Sequence, residues 1–146
     1  MTTTEDSTSL VCANCLAVNR VPVGRLADGP VCGKCKQALT PSRPIELTDA
    51  NFKKFISRTE TPIVVDFWAA WCGPCQAMAP EFSAAAKQLS PNILLAKLNT
   101  EEARQSAAGF NITGIPCLIK FHGGKEVARQ SGAMNAEQVV QWSRSV

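Results

Sequence analysis

The sequence predicts an α/β fold, a mixed central sheet flanked by helices, preceded by a small four-cysteine ribbon, and three observations carry that prediction. From Ile45 onward, nearly continuous apolar runs alternate with amphipathic segments, the pattern of buried strands joined by helices. Ahead of that pattern lie two CxxC pairs, CANC (Cys12, Cys15) and CGKC (Cys32, Cys35), with sixteen residues between them. A third pair, Cys72 and Cys75 in WCGPC, stands where a strand-like run gives way to a helix-like one.

A chain of 146 residues has room for one ordinary domain and a small appendage. Residues 1–10, MTTTEDSTSL, are polar and acidic, which predicts a flexible tail and lacks the basic-then-apolar order of a secretory signal. A cytoplasmic protein is therefore expected. Residues 11–39, rich in Cys, Gly and short apolar side chains, form the ribbon. Residues 40–44, TPSRP, read as a linker because two prolines bracket polar residues and no helix continues through them. The main domain is residues 45–146, and the linker predicts that it keeps its own core and fold without the ribbon.

Within that domain each element has its own signal. LTDANFKKFISR is a short helix with Thr48 as N-cap and Phe52, Phe55 and Ile56 on its buried face. PIVVDFW is a strand covered on both sides. Cys72 to Leu89 is a helix with Met78, Phe82, Ala85 and Leu89 facing the core and a kink expected at Pro80. NILLAKLN is a second buried strand, and EEARQSAAGF a helix turning Ala103, Ala107 and Phe110 inward. IPCLIKF and KEVARQ flank HGG as a hairpin. Asn135 and Gln138 form a capping box that opens a last helix with Ala136, Val139 and Val140 inside.

Composition excludes several function classes. A net charge of +3, spread over both halves with no basic stripe among aromatics, gives no support to nucleic-acid binding. The longest apolar run, PIVVDFWAAW, contains Asp66 and is too short to span a bilayer, so no membrane partner is expected. His122, the only histidine, sits beside a Gly-Gly turn and reads as a solvated residue, which leaves no catalytic histidine.

Seven cysteines in a chain without an export signal point to metal binding or catalysis rather than structural disulfides. In WCGPC the helix start places unpaired N–H groups and the helix dipole around Cys72, which favours its thiolate and makes it the attacking group. Cys75, one turn inside and more buried, is placed to attack the mixed disulfide that Cys72 forms. Gly73 permits close approach of another chain, and Pro74 stiffens the turn. Asp66, in mid-strand, is expected to have its pKa raised by desolvation and to take the proton from Cys75; a structural carboxylate paired with Lys97 is the alternative. For Cys12, Cys15, Cys32 and Cys35 the spacing is that of a four-thiolate zinc site, with Ala13, Asn14 and Gly33 suiting tight knuckle turns. Iron, or two disulfide pairs, are the other readings.

The run VVDFWAAWCGPC, followed by AKLN, GIP and SGA, resembles the thioredoxin family over nearly all of residues 45–146. The resemblance implies the thioredoxin fold and a protein-disulfide reductase in which Cys72 is nucleophile and Cys75 resolving thiol. It also implies Asp66 as the buried carboxylate, Lys97 as its neighbour and Pro116 as a cis-proline facing the pair. Trp68, Trp71, Gly73, Pro74, Ile115 and Gly132 would form the surrounding, substrate-binding surface. A zinc ribbon ahead of such a domain resembles the thioredoxin 2 group of bacteria. That similarity implies one structural zinc, no organic cofactor, an NADPH-dependent thioredoxin reductase as partner, oxidised protein disulfides as substrates, and action as a monomer. Two positions depart from the family: Cys117 replaces the usual Thr after the cis-proline and reads as a small buried hydrophobe, and Ala70 replaces an acid. A disulfide oxidase or isomerase, and a ribbon that binds partners on an inert scaffold, are the competing functions.

Overall fold

The computed structural model describes residues 6–146. The ribbon opens with an antiparallel pair, β1 (Ser7–Val11) and β2 (Val18–Pro22), and a 3-10 helix at Val23–Asp28. Then follow β3 (Ile45–Leu47), α1 (Phe52–Arg58), β4 (Ile63–Trp68), α2 (Gly73–Leu89), β5 (Leu94–Asn99), α3 (Arg104–Ala108), β6 (Cys117–His122), β7 (Lys125–Ser131) and α4 (Ala136–Ser145). The five-stranded sheet has the order β3-β5-β4-β6-β7. β5 is parallel to both β3 and β4, whereas β6 is antiparallel to β4 and to β7, so the sheet is mixed as expected.

Alternation along β4 assigns its faces. Ile63, Val65 and Phe67 join one buried cluster with Phe52, Phe55 and Ile56 of α1 and Ala107 of α3. Val64 joins the other, with Met78, Phe82 and Leu89 of α2 and Val139 and Val140 of α4. Each face is thus sealed by two helices, α1 and α3 on one and α2 and α4 on the other, which is why the central strand is apolar on both sides. The Asn135–Gln138 capping box opens α4, and Gly123 and Gly124, both at positive φ, turn the β6–β7 hairpin. The N-cap of α1 is Asn51 and not the expected Thr48; Thr48 instead closes the turn ahead of the helix, its hydroxyl accepting the Ala50 N–H and its carbonyl that of Phe52.

The expected order began with a helix, so the short strands β1, β2 and β3 add to it, and two further expectations need correction. The tail reading of residues 1–10 fails over Ser7–Leu10, which belong to β1, with Leu10 only 1% exposed; residues 1–5 lie outside the described residues. The linker, moreover, does not separate two cores. Leu10, Val11, Val21 and Leu39 of the ribbon share the cluster of Phe52 and Phe55. β1 is also fixed by hydrogen bonds to the α1–β4 corner: Glu60 N–H donates to Ser9 O at 2.8 Å, Ser9 N–H to Glu60 Oε1 at 2.8 Å, and Val11 N–H to Thr59 Oγ1 at 3.3 Å. STSLV has too few apolar residues to show a strand period, and the bonds that tie it to the main domain reach 48 and 51 residues along the chain.

Candidate active site and candidate metal centre

β4 delivers the chain to the buried Ala69, and α2 begins four residues later. Cys72 is the N-cap in extended conformation, and its Sγ accepts the Cys75 N–H at 3.2 Å. A sulfur in that position receives one of the orphan donors of the helix start together with the positive end of the dipole, so a thiolate is favoured there. Cys72 and Cys75 are joined as a disulfide. Their burial is nearly equal, 4% and 3% exposed, so the expected difference in accessibility is small and helix position alone distinguishes them.

Ile115, Pro116 and Gly132 lie beside this pair. Cys72 Sγ lies 3.7 Å from Ile115 O, and the Ile115–Pro116 peptide is cis. Gly132, at φ +103°, donates its N–H to Pro116 O at 2.9 Å, which ties the loop after β7 to the proline; only glycine adopts that φ readily. A Cβ on Gly73 would meet nothing within 4 Å, so the turn before Pro74 faces open space. Trp71 is 72% exposed and forms one wall of a groove of about 760 Å³, whose other wall is α3 and the following loop through Arg104, Ala107, Ala108, Ile112 and Ile115. The family resemblance marked Trp71 and Ile115, but no sequence signal marked the α3 wall, because α3 and Trp71 converge only in three dimensions.

Asp66, in β4, is 1% exposed, and neither carboxylate oxygen has a hydrogen-bond partner among the described residues. Burial pushes its carboxyl up to about 7 against the opposing pull of the Lys97 ammonium. Lys97 stands opposite Asp66 in the β4–β5 register, but its Nζ lies 4.5 Å over the Trp68 ring. Asp66 alternates with Val65 and Phe67 and so faces the α2 layer that carries Cys75. Cys117 pairs with Phe67 in the β4–β6 register and packs in the opposite layer, 2% exposed, with burial raising its thiol pKa. His122 is exposed, as expected.

The ribbon cysteines converge. All four Sγ atoms lie within 4.8 Å of one another, with Cys12–Cys35 at 3.4 Å and Cys15–Cys32 at 3.6 Å. A metal bound tetrahedrally at about 2.3 Å from each sulfur sets the sulfurs about 3.8 Å apart, so the donor set fits such an ion. The two knuckles have the same geometry. Leu16 N–H returns to Cys12 O and Lys36 N–H to Cys32 O, and Leu16 and Lys36 both take positive φ, an unusual conformation outside glycine. Donors are aimed at the sulfurs: Lys34 N–H and Asn19 Nδ2 at Cys32, Asn14 Nδ2 at Cys35. Hydrogen bonds, led by the Cys35 N–H, bring Cys32 down to about 6, whereas burial pushes Cys12 up to about 12. The alternative of disulfides within each CxxC is not what is found, since all four are free thiols.

Comparison with known proteins finds a family match for each part of the chain. The model of the family described as thioredoxin matches residues 43–145, and one described as thioredoxin 2, N-terminal, matches residues 11–37. The chain is 48% identical over 133 residues to thioredoxin C-3 of Corynebacterium nephridii, covering 91% of each protein. It is 44% identical over 93 residues to a thioredoxin of Alicyclobacillus acidocaldarius, covering 64% of this chain and 88% of that one. Ribbon, sheet and disulfide-bearing helix start together place the chain in the thioredoxin family of thiol–disulfide oxidoreductases, with the N-terminal zinc-ribbon type of thioredoxin 2.

Proposed function

We propose that the protein reduces disulfides of other proteins through Cys72 and Cys75, and the observation that carries this is Cys72 as sulfur N-cap of α2 beside an open groove. The Cys72 thiolate attacks one sulfur of a target disulfide, forming a mixed disulfide and expelling the other target sulfur as thiolate. The Cys75 thiolate then attacks Cys72 Sγ, forming the Cys72–Cys75 disulfide and releasing the second target thiolate. The target gains two electrons and, from solvent, two protons. Asp66, with its carboxyl near 7, is the acceptor for the proton that Cys75 loses, and Lys97 tempers that acid electrostatically. Trp71, Gly73, Pro74, Ile115, Pro116 and Gly132 form the surface that receives the target chain.

Reducing equivalents come from an NADPH-dependent thioredoxin reductase, and the protein acts as a cytoplasmic, monomeric electron carrier without organic cofactor. Among the described residues no helix is long and apolar enough to cross a membrane, which suits that setting. Cys12, Cys15, Cys32 and Cys35 would hold one structural zinc, which adds folding energy to a segment too small to fold by burial alone. Reduction of insulin by dithiothreitol tests the reading: catalysis is expected, and Cys72→Ser is expected to abolish it. Comparable turnover by that variant would sink the assigned nucleophile.

A further inference from the structure

The ribbon packs at the corner before β4, whereas Cys72 follows the other end of that strand, about 20 Å away for six extended residues. Anything the ribbon does to the disulfide site therefore passes through the protein, and the Thr48–Asn51 turn makes contact in both directions. Asn51, 8% exposed, donates from Nδ2 to Ala13 O, between the first two cysteines, at 3.1 Å, and to Glu46 O at 3.2 Å. Its Oδ1 accepts the Thr48 N–H at 2.7 Å. This buried amide is committed on both sides, so the knuckle and the turn are held as one piece. Two residues away, Asp49 Oδ1 accepts the Ser106 N–H at 2.8 Å and the Ser106 hydroxyl at 2.7 Å. Those bonds hold the Asp49 carboxyl below the usual range.

Ser106 lies in α3, the wall of the groove opposite Trp71. A helix of five residues has no stability of its own. Of its side chains only Ala107 is buried, and the Arg104–Glu101 pair is too exposed to hold it. The charge-assisted clamp from Asp49 is thus the principal polar tether of the wall.

We propose that the Thr48–Asn51 turn is a joint between the cysteine ribbon and the target groove: Asn51 grips the first knuckle through Ala13, Asp49 grips α3 through Ser106, and the folded ribbon thereby fixes the groove wall. The inference rests on the reading of the groove as target-binding. The element with two states is the ribbon, ordered with metal bound and loosened without it. Asp49 and Asn51 are positioning residues, remote from the reacting sulfurs.

The test is hydrogen exchange of amides 104–108 in the full chain, with zinc bound and after chelation, together with insulin-reduction kinetics. Chelation is expected to speed exchange over 104–108 in the wild type. Asp49→Ala and Asn51→Ala are expected to speed it with zinc still bound, and Asp49→Asn, which keeps an acceptor oxygen, to restore much of the protection. Asp49→Ala should raise KM for insulin about threefold to tenfold, the size of a lost hydrogen bond or two, with kcat retained. Its disulfide should still react with dithiothreitol at the wild-type rate. Wild-type protection over 104–108 in zinc-bound Asp49→Ala would overturn the clamp, and the same result in Asn51→Ala would overturn the link to the ribbon. Should chelation also open β6, the zinc-bound variants decide. A wild-type protein that fails to reduce insulin would instead overturn the proposed function.

Discussion

Asp66 and Lys97 stand opposite each other in adjacent parallel strands, yet the lysine ammonium lies over the Trp68 ring at 4.5 Å and forms no ion pair with the carboxylate. The cation tempers the acid without neutralising it. Had the pair closed, the carboxyl would be held low, and it would be a poor proton acceptor for a thiol near neutral pH. The open arrangement leaves burial dominant and sets the carboxyl near 7.

Asp66→Asn is expected to stabilise the protein, and more so at pH 8 than at pH 4. The folded pKa lies above the unfolded one, so the favourable contribution of the protonated acid is complete below about pH 4 and is stripped away as pH rises through 7. The gain from the substitution at pH 8 should be on the order of 4 kcal/mol. Denaturant titrations at the two pH values check it, and an equal gain at both would contradict the raised pKa. Mixed disulfide formed by the variant should resolve more slowly than in the wild type.

Cys117 should resist alkylation in the folded, reduced protein. It lies in the layer opposite Asp66 and α2, and burial raises its pKa. Mass spectrometry after a brief iodoacetamide pulse is expected to find Cys72 labelled and Cys117 unmodified. Equal labelling would overturn its assignment to the core.

Removal of the ribbon should weaken the rest of the molecule. A protein beginning at Ser42 loses Leu10, Val11, Val21 and Leu39 from the cluster that covers Phe52 and Phe55. It is expected to melt below the full chain, and Leu10→Ala in the full chain should cost about 2–5 kcal/mol. Identical melting of the long and short proteins would show that the shared cluster contributes nothing.

Protein purified under reducing conditions should hold one zinc per chain by elemental analysis, and Cys32→Ser should lower that occupancy sharply. Chelation should lower the melting temperature, because the metal is bound by the folded ribbon and not by the loosened one. A wild-type preparation free of metal would refute the site.

The sequence by itself determined the order of strands and helices from α1 onward, though not the short strands β1, β2 and β3, together with the inward faces at Phe52, Phe55, Ile56, Met78 and Phe82, the Asn135–Gln138 capping box and the three CxxC units. These are written in local periodicity and in caps a few residues wide, where each residue's neighbours in space are also its neighbours in the chain. Tertiary structure alone tied β1 (Ser7–Val11) to the main domain: its ladder partner β2 is close in the chain, but Val11 and Ser9 also bond to Thr59 and Glu60, 48 and 51 residues further on. It alone turned Lys97 toward Trp68 and brought Asp49 to Ser106 across 57 residues. It also buried Lys120 in β6, with its ammonium donating to Ser143 O and Val146 O at the end of α4, where the pattern IPCLIKF gives no hint of a partner for a charge. Such pairings depend on how the layers stack, and no local period records which distant donor will meet which acceptor.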